Sequence, residues 1–323
     1  MYGALDIGGT KIAGALIDTE GRVLLRAQRP TPAREPAAVL MGAVTAVLDE
    51  LARDPRWASL SCLGIGSAGP VDAAAGTVSP VNIAAWRGFP LVDEVRSHSG
   101  LPASVSPVLI GDAVAMAAAE HWLGAARGVD NALCMVVSTG VGGGLILNGA
   151  LHQGPTGNAG HIGHISVALD GAPCPCGARG CVEGLSSGAA ITRHALDAGW
   201  TPPPGTAASA ESVAAAARTG DLRATAAYDR AGQALAAGIA ATAALVELDL
   251  VVIGGGVAQA GDLLFGPLRR HFARYAKLDF TRQVRIVPSL LALDAGLIGA
   301  AAAAAAKTHR PDVEARAEAH SGS

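Results

Sequence analysis

Asp6 stands just ahead of a glycine pair and a lysine, in the run Ala4-Leu5-Asp6-Ile7-Gly8-Gly9-Thr10-Lys11. Apolar residues on both sides make this a strand, a turn and, from Ile12 to Ile17, a second strand. Adjacent glycines let backbone N–H groups close on an anion without Cβ obstruction. Thr10 and Lys11 add donors, and a strand-end carboxylate can hold a hydrated Mg²⁺. The pattern recurs: an apolar strand over 133–137, a turn through Ser138-Thr139-Gly140-Val141-Gly142-Gly143-Gly144, and a strand over 145–147. Either hairpin alone reads equally well as a glycine-rich connector. The pair, with an acid before the first turn and Thr139 inside the second, points to two half-sites gripping one nucleotide.

Asp112 follows an apolar strand over 105–110 through Gly111 and opens a helix running to Leu123. Such an aspartate can simply cap its helix. Set between two phosphate hairpins, it can instead take the proton of a substrate hydroxyl while that oxygen attacks a γ-phosphate in line. The helix N-terminus would keep it ionised, so its work is to orient the hydroxyl and accept its proton late.

Cys174, Cys176 and Cys181 lie in one short loop with His164 upstream. Three thiols and an imidazole match a closed tetrahedral zinc site, whereas a disulfide would leave one thiol over. Cys62 and Cys134 sit in apolar strand runs, where burial accounts for them.

The nucleotide motifs of other folds do not fit. The chain has no Gly-x-x-x-x-Gly-Lys-Ser/Thr loop, and its one Gly-x-Gly-x-x-Gly match, Gly64 to Gly69, runs into Pro70-Val71-Asp72 rather than a helix. A net charge of −3 argues against a nucleic-acid surface, and no basic run or helix-turn-helix precedes the first hairpin. The start Met1-Tyr2-Gly3 has no charged leader, and the most apolar stretches, 234–246 and 297–306, are too short to span a bilayer. A soluble cytoplasmic protein is expected.

These residues must be positioned by alternating elements. Helices are expected over 36–53, 91–99, 112–123, 211–218 and 222–245, with strands over 61–66, 105–110 and 250–253 between them. With 323 residues, half of them apolar, the chain can fill two α/β domains with mixed sheets.

Taken together, the Asp6 to Lys11 run, the Gly160-x-x-Gly163-His164 segment and the Cys-x-Cys-Gly-x-x-Gly-Cys-x-Glu run ending at Glu183 resemble the ROK family (repressor, open reading frame, kinase). Its kinases belong to the actin-like, hexokinase-like ATPases. The resemblance implies a two-domain actin-like (ribonuclease H-like) α/β fold with a cleft between domains and a structural zinc loop. The small domain would be 1–111 completed by a C-terminal helix over 295–307. The large domain would be 112–294 with the zinc loop at 164–181, and a polar tail over 308–323 is expected to be disordered. It also implies ATP-dependent transfer to a hexose hydroxyl, the 6-hydroxyl of glucose first, with an N-acetylmannosamine or N-acetylglucosamine kinase or a fructokinase as alternatives. ATP and Mg²⁺ would lie on Asp6, Gly8, Gly9, Thr10, Lys11, Thr139 and Gly140, with Gly254, Gly255 and Gly256 on the adenosine side.

Carried over by position, Asp112 is the general base, Glu183 a sugar-hydroxyl ligand, and His164 a zinc ligand whose other ring nitrogen faces the sugar. On this reading zinc shapes the sugar site without touching the phosphate. Asn82 and Gly69 resemble loops flanking the sugar, and read equally as ordinary turn residues. A homodimer or homotetramer is expected, with no nucleic-acid or membrane partner. Three positions depart from the family's pattern: Gly111 replaces an asparagine, Ser138 a glycine, and His161 a sugar-binding glutamate. The last exchanges an acceptor-only group for one that can also donate, so the substrate need not be plain glucose. The family also contains sugar-responsive repressors. Retention of Asp112 argues against that role, and Gly111 with His161 leave open a sugar-binding protein that has lost turnover.

Overall fold

The structure, a computed structural model, describes residues 1–291 and 294–308. The chain divides into two compact units: Met1–Ala119 with Gly154–Asn158 and the chain from Asp294 onward, and Glu120–Gln153 with Ala159–Leu293. In the first, β1 (Tyr2–Ile7), β2 (Lys11–Ile17) and β3 (Val23–Pro30) form an antiparallel meander. It is followed by α1 (Ala37–Ala52), β4 (Cys62–Ser67), a small ribbon of β5 (Val71–Asp72) and β6 (Thr77–Val78), α2 (Leu91–Arg96), β7 (Pro107–Gly111) and α3 (Asp112–Leu123). β4 and β7 add in parallel, giving the order β3-β2-β1-β4-β7. β4 is buried along its whole length and β1 nearly so, as expected of strands covered on both faces. On one face α1 buries Leu40, Val44, Val47, Leu48 and Leu51, an apolar stripe at helical spacing.

The second unit repeats this topology. β8 (Ala132–Val137), β9 (Val141–Leu147) and β10 (Ala150–His152) form its antiparallel meander. Four helices follow, α4 (Val182–Ser186), α5 (Gly188–Asp197), α6 (Ala210–Arg218) and α7 (Leu222–Val246), then β11 (Leu250–Gly254), α8 (Asp262–Tyr275), α9 (Asp279–Arg282) and β12 (Arg285–Pro288). The order β10-β9-β8-β11-β12 is that of the first sheet, with the two glycine hairpins at equivalent places. In each unit the candidate residues gather at the carboxyl ends of parallel strands, where open α/β sheets place ligands.

The last described element is α10 (Ala295–Thr308), which packs on the first sheet through Leu297, Ile298 and buried alanines. It lies so close to β4 that a methyl on Gly64 would strike the Ala300 carbonyl oxygen. The Gly64-x-Gly66 spacing therefore admits a helix, and the dinucleotide fingerprint is coincidental.

Three expectations need correction or qualification. The first unit runs to Ala119 rather than ending at 111, because the start of α3 packs on α10, with the Ala115 carbonyl against Gly299. The second hairpin's turn is only Ser138 to Gly140, and Val141 to Gly144 belong to β9. The tail expected to be disordered lies, from 309 on, outside the described residues. Among the described residues no helix is long and apolar enough to cross a membrane.

Candidate active site

In the first unit, Gly8, Gly9 and Thr10 form the turn between β1 and β2, closed by a Gly8 N–H to Lys11 carbonyl bond of 3.0 Å. Thr31, which the sequence reading missed, clamps it. Its N–H donates to the Thr10 carbonyl at 3.0 Å and its hydroxyl to the Gly8 carbonyl at 2.7 Å. Gly9 leaves room for Asn82, whose side chain a methyl there would strike. The Gly69 carbonyl accepts the Val81 N–H at 3.3 Å, so the Gly69 and Asn82 loops are packed together against this turn.

Asp6 sits half-buried near the end of β1. Burial and the neighbouring Asp112 push its carboxyl up to about 6, against the pull of Lys11. Two carboxylates beside a lysine and a glycine turn form a site that favours a cation. Asp112 opens α3, and its Oδ1 accepts the N–H of Ala113 at 2.7 Å. Gly296 in the first turn of α10 leaves space for the Asp6 carboxylate. Its only sequence signal was a glycine at the mouth of an alanine-rich helix.

In the second unit, Thr139 lies at the centre of the turn that joins β8 to β9, where the Ser138 N–H donates to the Gly140 carbonyl at 2.8 Å. The glycines of β9 admit close neighbours: a methyl on Gly143 would lie 2.9 Å from the Gly160 carbonyl oxygen and 3.0 Å from Ile162. Gly254 ends β11, and Gly255, at φ 92°, folds the chain over the end of β8 before Gly256 starts a short 3₁₀ turn. A methyl on Gly256 would lie 3.8 Å from Ser138 Oγ, so the Gly254 to Gly256 turn and the Ser138 to Gly140 turn are neighbours.

Glu183 lies in the first turn of α4. Its Oε2 accepts the N–H of Val141 at 2.8 Å, and a methyl on Gly140 would stand 2.7 Å from the same oxygen. The exit of the cysteine loop thus touches the Ser138 to Gly140 turn. His161 precedes the 3₁₀ turn Ile162–His164, is exposed, and lies with its ring centroid 6.2 Å from that of His164.

His164, Cys174, Cys176 and Cys181 bring their ligand atoms within 4.8 Å of one another. Cys174 Sγ is 3.9 Å from His164 Nδ1, and Cys176 Sγ is 3.8 Å from Cys181 Sγ. A tetrahedron with Zn–S bonds of about 2.3 Å has edges of about 3.8 Å, so the set fits zinc. Burial and the neighbouring thiols push Cys181 up to about 12, while the Ala178 backbone holds Cys176 below its usual range. All five cysteines are unbridged, with Cys62 and Cys134 buried in β4 and β8. A cavity of about 920 Å³ lined by Asp130, Asn131, Asp249 and Arg285 lies at the opposite ends of the second sheet's strands and holds none of the candidate residues.

The profile of the ROK family matches residues 2–307. The chain is 34% identical over 309 residues to a glucokinase of Thermotoga maritima, covering 92% of this chain and 95% of that one. It is 37% identical over 298 residues to an N-acetylmannosamine kinase of Yersinia pseudotuberculosis, covering 92% and 96%. The fold matches the crystal structure of a ROK family glucokinase from Streptomyces griseus in complex with glucose and AMPPNP, with a TM-score of 0.80 and 34% identity over 94% of this chain and 99% of that one. A profile match along nearly the whole chain, with relatives above 30% identity matched along almost their full length, shows that this protein belongs to the ROK family.

Proposed function

We propose that this protein transfers the γ-phosphate of ATP to the 6-hydroxyl of a hexose. That it is a sugar phosphotransferase follows from its family and its kinase relatives. The observation that supports the finer reading is the pairing of Asp6 with Asp112 beside the Gly8 to Thr10 turn, close enough for Asp112 to raise the Asp6 carboxyl. Asp112 is the general base. It orients the hydroxyl and takes its proton as the new O–P bond forms and the bond to the leaving ADP breaks. Asp6 and Lys11, with the turn's backbone N–H groups, receive phosphate and Mg²⁺, and the metal when bound neutralises charge on the phosphates. Thr139 and Gly140 take the remaining phosphates, and Gly254 to Gly256 border the adenosine.

The sugar ligands are Asn82, Gly69, His161, His164 and Glu183, with zinc held by His164, Cys174, Cys176 and Cys181 to fix the imidazole's tautomer and orientation. The two units serve as the small and large domains of the kinase, which acts in the cytoplasm as a homodimer or homotetramer.

Glucose is the first substrate on this reading. A second, a 2-acetamido sugar such as N-acetylmannosamine, is favoured by His161 in place of a carboxylate and by the 37% identity to an N-acetylmannosamine kinase. A coupled ADP-release assay over glucose, fructose, N-acetylmannosamine and N-acetylglucosamine, run with ATP and with polyphosphate, tests the proposal. Turnover with at least one hexose is expected. Sugar binding without turnover on any of them would replace the kinase by a non-catalytic sugar-binding role.

A further inference from the structure

Glu183 carries the family's sugar-ligand position, yet in this structure one of its carboxylate oxygens is committed elsewhere. Oε2 accepts the backbone N–H of Val141 at 2.8 Å, immediately after the phosphate turn. The same oxygen occupies the space beside Gly140 that any side chain there would need. A second bond joins the same segments: the N–H of Gly188, at the start of α5, donates to the Ser138 carbonyl at 2.7 Å. The turn is therefore held at both ends by the stretch that leaves the cysteine loop, by a side chain on one side and a backbone N–H on the other. Cys181, inside the metal cluster, stands just before this stretch, and the Val182 N–H ties it to Ile165 at 3.0 Å.

We propose that Glu183 is a positioning residue for the nucleotide as well as a sugar ligand, setting the Ser138 to Gly140 turn in its phosphate-receiving shape and coupling sugar and nucleotide binding through one carboxylate. The inference rests on the reading of that turn as a phosphate site. A charge-assisted bond to a backbone N–H is stronger than a neutral one and fixes the direction of the peptide. The coupling is reciprocal: whatever displaces the carboxylate from Val141 disturbs the turn, and whatever reshapes the turn moves a sugar ligand.

The test is nucleotide binding in the absence of sugar, a measurement that a residue acting on sugar alone would not move. Mg²⁺ with AMPPNP is titrated by calorimetry into wild type, Glu183→Gln and Glu183→Ala, with zinc content and melting temperature recorded for each. Glutamine keeps an oxygen that can accept the Val141 N–H and should stay within a few-fold of wild type. Alanine should lose about tenfold or more in nucleotide affinity. Equal affinity in wild type and Glu183→Ala overturns the inference and leaves the kinase reading intact. Failure of wild type to bind AMPPNP at all would instead overturn the kinase reading, and the inference with it. If Glu183→Ala loses its zinc or its fold, Gly140→Ala supplies the reciprocal arm. Its methyl meets the Glu183 carboxylate, so sugar affinity measured without nucleotide should fall several-fold, and an unchanged value would overturn the coupling.

Discussion

The carboxylate of Asp6 lies so near the Cα of Gly296 that a methyl on that glycine would stand 2.6 Å from Oδ2. The first turn of α10 thus sets the position of the acid that the glycine hairpin presents, and the positive end of a helix sits beside a carboxylate. Gly296→Ala should push Asp6 aside and lower turnover on the order of 10- to 100-fold while sugar affinity holds. Asp6→Ala should likewise weaken phosphoryl transfer and spare sugar binding, and the double variant should be no worse than Asp6→Ala alone, since both changes remove one interaction. Initial rates and calorimetry with sugar alone check this. Full additivity would show that Gly296 acts on something other than Asp6.

The elevated Asp6 carboxyl also sets a pH dependence for the metal-free protein. Its folded value of about 6 lies above the ordinary 3.8, so the folded state binds this proton more tightly than the unfolded state does. The group's relative contribution to stability is fully present below about pH 4 and is lost as pH rises toward and through about 6. In EDTA, Asp6→Asn should therefore gain on wild type as pH rises from 4 to 7, by on the order of 1–3 kcal/mol. Denaturant melts across that range measure it. A difference that stays flat with pH would mean that Asp6 ionises normally.

The strand carrying Asp6, the helix opened by Asp112 and the cysteine loop were legible because each pairs a local pattern with a chemical group that has few other uses. What the sequence hid were contacts between distant backbones. Gly142 to Gly144 read as turn because glycine breaks strands, yet at Gly143 the absent side chain makes way for Gly160 and Ile162. Gly64, which mimics a dinucleotide loop, is small because a helix carbonyl rests on it. The bond from the Val141 N–H to Glu183 links positions with no local relation in sequence. Donors on the main chain leave no mark on residue type, so this half of the site appears only once the chain is folded.

Asp112→Asn keeps the side chain's size and its acceptor for the Ala113 N–H but cannot take a proton. Turnover should fall on the order of 10²-fold or more with sugar and nucleotide affinities preserved. Steady-state rates with parallel calorimetry separate the two, and a variant within a few-fold of wild type would remove Asp112 from the role of base.

Protein purified without chelator should contain about one zinc per chain. Cys176→Ser, which changes the exposed cysteine of the cluster, should lower zinc content and sugar affinity together, because the loop presenting His164 and Glu183 loses its clamp. Metal analysis and sugar titration give both numbers. Disulfides among Cys174, Cys176 and Cys181 in freshly prepared protein would contradict the metal site.

His161 bears on which sugar is chosen. It is exposed, leads the 3₁₀ turn that ends at His164, and its ring lies 23° from parallel with that of His164. An imidazole at a position where a carboxylate is usual can donate to a carbonyl as well as accept from a hydroxyl, which suits an acetamido group better than a bare hydroxyl. His161→Glu should move preference toward glucose by restoring acceptors for hydroxyl donors. Adding Gly111→Asn should strengthen the shift. Among the described residues a Cβ at 111 meets Val114 at 3.7 Å and the Gly157 carbonyl at 3.9 Å, ordinary contacts. A site built around a hydrogen bond discriminates strongly against the wrong partner, so the ratio of kcat/KM for glucose over N-acetylmannosamine should rise by more than about tenfold. Measuring that ratio with zinc content verified decides the matter: an unchanged ranking of sugars in a zinc-replete variant would assign His161 to the surface beside the metal loop and substrate choice to other residues.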